Sequence, residues 1–171
     1  MIRPCLDGDF PDILRVINAA AVAYLGVIPD DCWHDPYMTG DGLRFEMDDG
    51  VVFWCVDEGE GPFAVMGIQD RIEVALVRHA YTLPALQKTG LGSLLLRHVE
   101  SLSPRQDVMV GTWKSAHWAV SFYERNGYQP VTEEEKNILL RRYWRIPERQ
   151  VETSVVLGKK LLAQKNMSPA V

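Results

Sequence analysis

A mixed α/β domain is the architecture this 171-residue chain predicts. Three observations predict it. First, an apolar run at 72–83 leads through Gln87-Lys88-Thr89-Gly90-Leu91-Gly92 into a stretch where Leu91, Leu94, Leu95, Val99 and Leu102 recur at helical spacing, which is the order strand, glycine turn, helix. Second, two apolar runs at 51–56 and 63–68 flank Glu58-Gly59-Glu60-Gly61-Pro62, the pattern of a hairpin. Third, the length suits one domain with a substantial core.

The elements follow in order. Ile2-Arg3-Pro4 reads as an opening strand. Asp9 is placed to cap a helix running to Tyr24, with Ile13, Val16, Ile17 and Ala20 on one face. Gly26 and Pro29 mark a loop, and Asp30 is expected to cap a second helix. The hairpin comes next, then the long strand, its glycine turn and its helix. A fifth strand is expected over 108–112. A helix then carries Trp118, Phe122 and Tyr123, with Trp118 and Phe122 read as core. Asn126-Gly127 stops it, and Tyr128 begins a strand. The connection over 132–150 is long. Glu133-Glu134-Glu135 suits a helix start, with Leu139, Leu140 and Tyr143 packing that helix down. An apolar strand over 151–157 completes a domain expected to span 1–158, and a polar tail, 159–171, is expected to be loosely ordered.

Composition narrows the partners. The apolar share is 47% and the net charge −5, with no polybasic footprint, so nucleic acid is not an expected partner. Cys5, Cys32 and Cys55 lack metal-type spacing and are expected to be reduced, buried thiols; no metal is expected. No signal-like segment or membrane-length apolar run is visible, so a cytoplasmic location without membrane association is the expectation. A homodimer is the base-rate expectation.

The glycine turn suits an anion. Glycines let the backbone approach a ligand, and the first N–H groups of a helix lack intrahelical partners while carrying partial positive charge. A dinucleotide fingerprint would need glycine where Leu95 stands, and a P-loop would need Gly-Lys-Ser/Thr after four spacers, which is absent. The order Gln87-x-x-Gly90-x-Gly92 instead resembles the pyrophosphate loop of the GCN5-related N-acetyltransferases. Ala119-x-x-Phe122-Tyr123-Glu124-x-x-Gly127-Tyr128 resembles the same family's second motif at the family spacing. The stretch 113–128 with the tail 143–157 is similar to one bacterial and archaeal branch of it.

That resemblance implies a twisted, mostly antiparallel sheet of about seven strands flanked by helices, with the fourth and fifth strands splayed. It implies acetyl-CoA as donor and a primary amine as acceptor, on a small molecule or a protein, attacking directly in a ternary complex. The alternatives are transfer of a longer acyl group, a non-catalytic acyl-CoA-binding module, and a binder of some other nucleotide. The implied donor site comprises Ala80, Tyr81 and Thr82 beside the thioester, then Gln87, Lys88, Thr89, Gly90, Leu91, Gly92 and Ser93 around the diphosphate. Gln87 either bonds the diphosphate or closes the turn. Tyr123 is the candidate general acid, a phenol protonated at neutral pH. The fifth strand holds no carboxylate, which leaves the base open among His79, His117, Glu73 at the start of the fourth strand, and a water chain. Ala116 stands where the family often has Asn, with Ser115 as a possible substitute. Two acceptor walls are expected, one over 24–37 and one formed by Tyr143, Trp144, Arg145 and Arg149.

Overall fold

A computed structural model describes residues 1–162. Along the chain the elements are β1 (Ile2–Pro4), α1 (Phe10–Ala21), α2 (Gly40–Asp48), β2 (Val51–Asp57), β3 (Pro62–Asp70), β4 (Ala75–Thr82), α3 (Leu91–Ser101), β5 (Asp107–Trp113), α4 (His117–Arg125), β6 (Gln129–Pro130), α5 (Glu133–Tyr143), α6 (Glu148–Thr153) and β7 (Ser154–Lys160). The seven strands form one sheet in the order β1-β2-β3-β4-β5-β7-β6. Every neighbouring pair is antiparallel except β4 and β5.

The two-residue alternation of the strands divides the core between the two faces. Val51, Phe53, Cys55 and Val65 meet Ile13, Val16 and Ile17 of α1 and Leu43 of α2. Val56, Ala64, Met66 and Val77 meet Leu95, Leu96 and Val99 of α3. Each such aliphatic side chain, fully buried, contributes about 1.5–3 kcal/mol. Leu140, Trp144 and Val151 press α5 and α6 onto Val74, Leu76 and Val156. The predicted helix over the long connection is therefore present, and Thr132 and Glu135 form a capping box at its start.

Two details of β4 position the site. It pairs with β5 only from Ala75–Val108 to Val77–Val110; beyond that the strands diverge. At that point a bulge interrupts its pairing with β3. Val65 faces Tyr81 and Gly67 faces Arg78, so Met66 stands opposite both His79 and Ala80. His79 takes the left-handed conformation, φ 49°. Gly67, across the bulge, has no room for a side chain: a Cβ there would lie 2.5 Å from Val51 Cγ1.

Several local expectations are corrected. Asp9 does not cap α1 with its side chain; its carboxylate accepts from the Leu6 N–H and from Arg3, because the charged guanidinium is the stronger partner. Asp30 opens only a single 3₁₀ turn, Asp30–Cys32. The second helix starts ten residues later at Gly40, where the Thr39 hydroxyl accepts from the Gly42 N–H. Glu73 precedes β4 rather than starting it. Of the three thiols only Cys55 is buried; Cys5 lies beside it, and burial pushes both thiols up, which keeps them protonated. β7 runs through Lys160, with Lys159 paired to Glu100. The rest of the expected tail, 163–171, lies outside the described residues.

Candidate active site

A cavity of about 770 Å³ opens where β4 and β5 part. Its lining includes Ala80, Tyr81 and Thr82 of β4, Gln87, Lys88, Gly90, Leu91, Gly92 and Ser93 of the glycine turn and α3, and both His79 and Tyr123. Of the predicted donor-site positions only Thr89 is outside the lining; its hydroxyl donates to the Leu86 carbonyl and holds the turn.

The turn is built for a close backbone approach. Gly90 is the N-cap of α3 at φ 90°, a conformation that costs glycine little. No side chain caps the first turn of α3, so its N–H groups are not satisfied from within the turn. The Gln87 side chain donates to the Thr82 carbonyl at 3.1 Å and so closes the turn, while Gln87 also lines the cavity. Gly92 lets α3 approach α4: a Cβ there would stand 3.3 Å from the Phe122 ring. Lys88 and Arg125 supply positive charge at the lining.

Tyr123 is the one buried residue of α4 among those described. Its ring packs edge-on against Tyr128 at 5.5 Å and Phe122 at 5.0 Å. Burial first, and then the nearby Tyr24, push its hydroxyl up, so the phenol is protonated through the neutral range. Trp118, expected in the core, is 47% exposed; it stacks on Tyr24 at 5.8 Å at the cavity edge. Tyr24 and Tyr37 sit 5.4 Å apart, and Trp113 Nε1 donates to the Tyr37 hydroxyl at 2.8 Å. Burial raises Tyr24 to about 12 and Tyr81 well above its ordinary value. These phenols are therefore neutral, hydrogen-bonding walls.

The bulge sends Arg78 and His79 toward one carboxylate. Arg78 Nη2 donates to Glu46 Oε2 of α2 at 2.5 Å, and Arg78 Nη1 to Gln69 Oε1 at 2.7 Å. His79 Nε2 stands 3.2 Å from the same Glu46 oxygen, off the line of a hydrogen bond, and its ring stacks on Phe53 at 6.0 Å. Burial lowers the His79 pKa, Arg78 lowers it further, and Glu46 opposes them, leaving a net lowering and a neutral imidazole. The cluster extends through Gln69 to Asp49, which pairs with Arg71 and, at 3.3 Å, with Arg145. His79 and Tyr123 thus belong to opposite faces of the sheet and share only the cavity between the strands. Glu46 is missed by sequence reading; the one available signal is an arginine, Arg78, inside the apolar run that forms β4.

The other base candidates lie elsewhere. Glu73 is exposed and bonds Arg142 and the Tyr143 hydroxyl. His117 is exposed at the start of α4 and outside the lining. Of the predicted wall Tyr143, Trp144, Arg145 and Arg149, only Trp144 reaches the cavity, joined by Leu140, Ile146 and Gln150. Arg149 instead pairs with Asp31 at 2.8 Å and so ties the two predicted walls together.

Comparison with known proteins agrees with this geometry. The model for the acetyltransferase (GNAT) domain matches residues 49–130, the span that carries both motifs. A GNAT-family acetyltransferase from Staphylococcus aureus superposes with TM-score 0.70 at 13% identity, over 95% of this chain and 99% of that one. The PaiA N-acetyltransferase of Thermoplasma acidophilum, crystallised with coenzyme A, gives TM-score 0.70 at 14% identity, over 94% and 98%. The ribosomal-protein-S18-alanine N-acetyltransferase of Escherichia coli gives 0.65 at 15% identity, over 98% of both chains. No curated protein sequence matches the chain. The splayed β4 and β5, the glycine turn and the tyrosine helix all lie inside the span matched by the acetyltransferase (GNAT) domain model, and the chain has the GNAT fold.

Proposed function

We propose that the protein transfers the acetyl group of acetyl-CoA to an amine by direct attack in a ternary complex. The carrying observation is one cavity, at the parting of β4 and β5, lined by both the uncapped start of α3 and Tyr123. The residues fit the donor. A diphosphate suits the Lys88–Ser93 amides and the helix dipole, with Lys88 and Arg125 adding charge. Beyond Val77 the β4 backbone has lost its β5 partner, so an N–H near Tyr81–Thr82 can hold the thioester oxygen as negative charge develops there. The amine nitrogen attacks the carbonyl carbon, the carbon–sulfur bond breaks, and the Tyr123 hydroxyl gives its proton to the departing sulfur. His79, a neutral imidazole at the bulge, is the base that takes a proton from the attacking nitrogen, directly or through water.

Ser93→Asp tests the donor site without disturbing the fold. An acidic residue in a first helical turn is favoured by the dipole, so thermal stability should hold. The same charge about 5 Å from a diphosphate opposes it by about 3 kcal/mol at an effective dielectric of about 20. Calorimetry should therefore show acetyl-CoA affinity falling by about a hundredfold, and amine-dependent release of CoA thiol at low acetyl-CoA should fall with it. Unchanged affinity in the folded variant would place the diphosphate elsewhere.

A further inference from the structure

We infer that the acceptor is an amine already neutral at neutral pH, an aromatic amine, rather than an alkylammonium. The inference rests on the acetyl-transfer reading and extends it to the acceptor. Although the chain carries net charge −5, no Asp or Glu lines the cavity among the described residues; its ionisable side chains are Arg78, His79, Lys88, Arg125 and the tyrosines Tyr24, Tyr37, Tyr81 and Tyr123. Glu46, the carboxylate behind this wall, is taken up by Arg78 and does not reach the lining. An incoming ammonium would lose its water with no carboxylate in the lining to receive it, which is costly. A neutral aromatic amine meets the opposite: Tyr24, Tyr37, Trp113, Trp118 and Trp144 all contribute to the lining, and their rings suit stacked or edge-on contacts with another ring.

The proton inventory agrees. An alkylamine as basic as a lysine side chain is neutral in about one molecule in a thousand at pH 7.4. A buried imidazole is too weak a base to deprotonate the rest, but it is adequate for the far more acidic N–H formed once nitrogen has attacked. In the step proposed, the nitrogen–carbon bond forms, the carbon–sulfur bond breaks, the nitrogen loses one proton to His79 or water, and sulfur gains one from Tyr123, which is then reprotonated. No other reactant is needed.

The test uses two isomers of one formula, 4-methylaniline and benzylamine, with acetyl-CoA and the full chain at pH 7. The aniline should be acetylated with the higher kcat/KM, by about tenfold or more, because so little of an alkylamine is neutral at that pH. Its rate should be flat with pH across the neutral range, while that of benzylamine should climb. Gln150→Glu, which adds a carboxylate to the acceptor side of the cavity, should move the ratio toward benzylamine. Equal or better use of benzylamine at pH 7 by the unmodified protein would overturn the inference. Acetylation of neither isomer while acetyl-CoA binds would overturn it too, leaving the donor assignment standing. Failure of acetyl-CoA to bind would remove the acetyl-transfer reading and this inference with it.

Discussion

Tyr123→Phe should lower kcat by about a hundredfold with acetyl-CoA affinity unchanged. General acid catalysis contributes about 10²–10⁴-fold. The lower end applies because a thiol of pKa about 8.5 yields a competent leaving group without full protonation. The variant removes one oxygen and keeps the ring that packs on Tyr128 and Phe122, so folding should not confuse the result. Steady-state rates at saturating donor, with the donor Kd measured alongside, make the distinction: lost turnover at constant Kd fits a proton donor to sulfur. Since burial holds the Tyr123 hydroxyl above its ordinary range, the unmodified protein should show no alkaline loss of kcat assignable to it below about pH 10. Unchanged turnover, with chemistry shown to limit the rate, would remove Tyr123 from the proton path.

The second large effect is on stability. Glu46→Ala leaves Arg78, only 7% exposed, buried without its counter-charge, and deleting one partner of a buried ion pair costs about 3–5 kcal/mol. Glu46→Gln, which keeps an oxygen for the guanidinium, should lose less. Urea denaturation separates them; a loss under about 1 kcal/mol for the alanine variant would mean that water reaches Arg78 and screens it. Acid should act on the same pair. Burial raises the Glu46 carboxyl, but His79 and Arg78 together outweigh it, for a net lowering. With His79 neutral near pH 7, Arg78 is the standing counter-charge. A carboxyl lowered in the folded state binds fewer protons there than in the unfolded chain. Its stabilisation is therefore complete above the ordinary glutamate range, about pH 4.3, and is lost as pH falls through the folded value. The Glu46→Gln protein should lack this component of acid sensitivity.

What was legible in the sequence was local. The α3 leucines repeat at helical spacing, Gly90 and Gly92 mark the turn, Asn126-Gly127 ends α4, and the hairpin glycines join β2 to β3; each signal spans a few residues and obeys backbone sterics. The sheet and its seven strands came from the family resemblance and stand as expected. The parts that escaped are contacts between distant segments. Glu46 meets Arg78 across 32 residues and Tyr37 meets Trp113 across 76, and no periodicity encodes such a pairing. Helix starts were legible only in part: α1 begins after Asp9, but the Asp9 side chain goes to Arg3 and not to the helix, and Asp30 leads only a 3₁₀ turn. The face occupied by His79 could not be read because the bulge breaks the two-residue alternation at that residue.

The central claim is that the cavity at the parting of β4 and β5 is an acetyl-CoA site. Titrating the folded protein calorimetrically with acetyl-CoA, with ATP and NAD in parallel, tests it most directly. The account predicts a single acetyl-CoA site of micromolar affinity or better, about −8 kcal/mol, and no heat of binding from ATP or NAD. Absence of acetyl-CoA binding, or equal binding of all three, would contradict it and leave the glycine turn as a structural cap on α3.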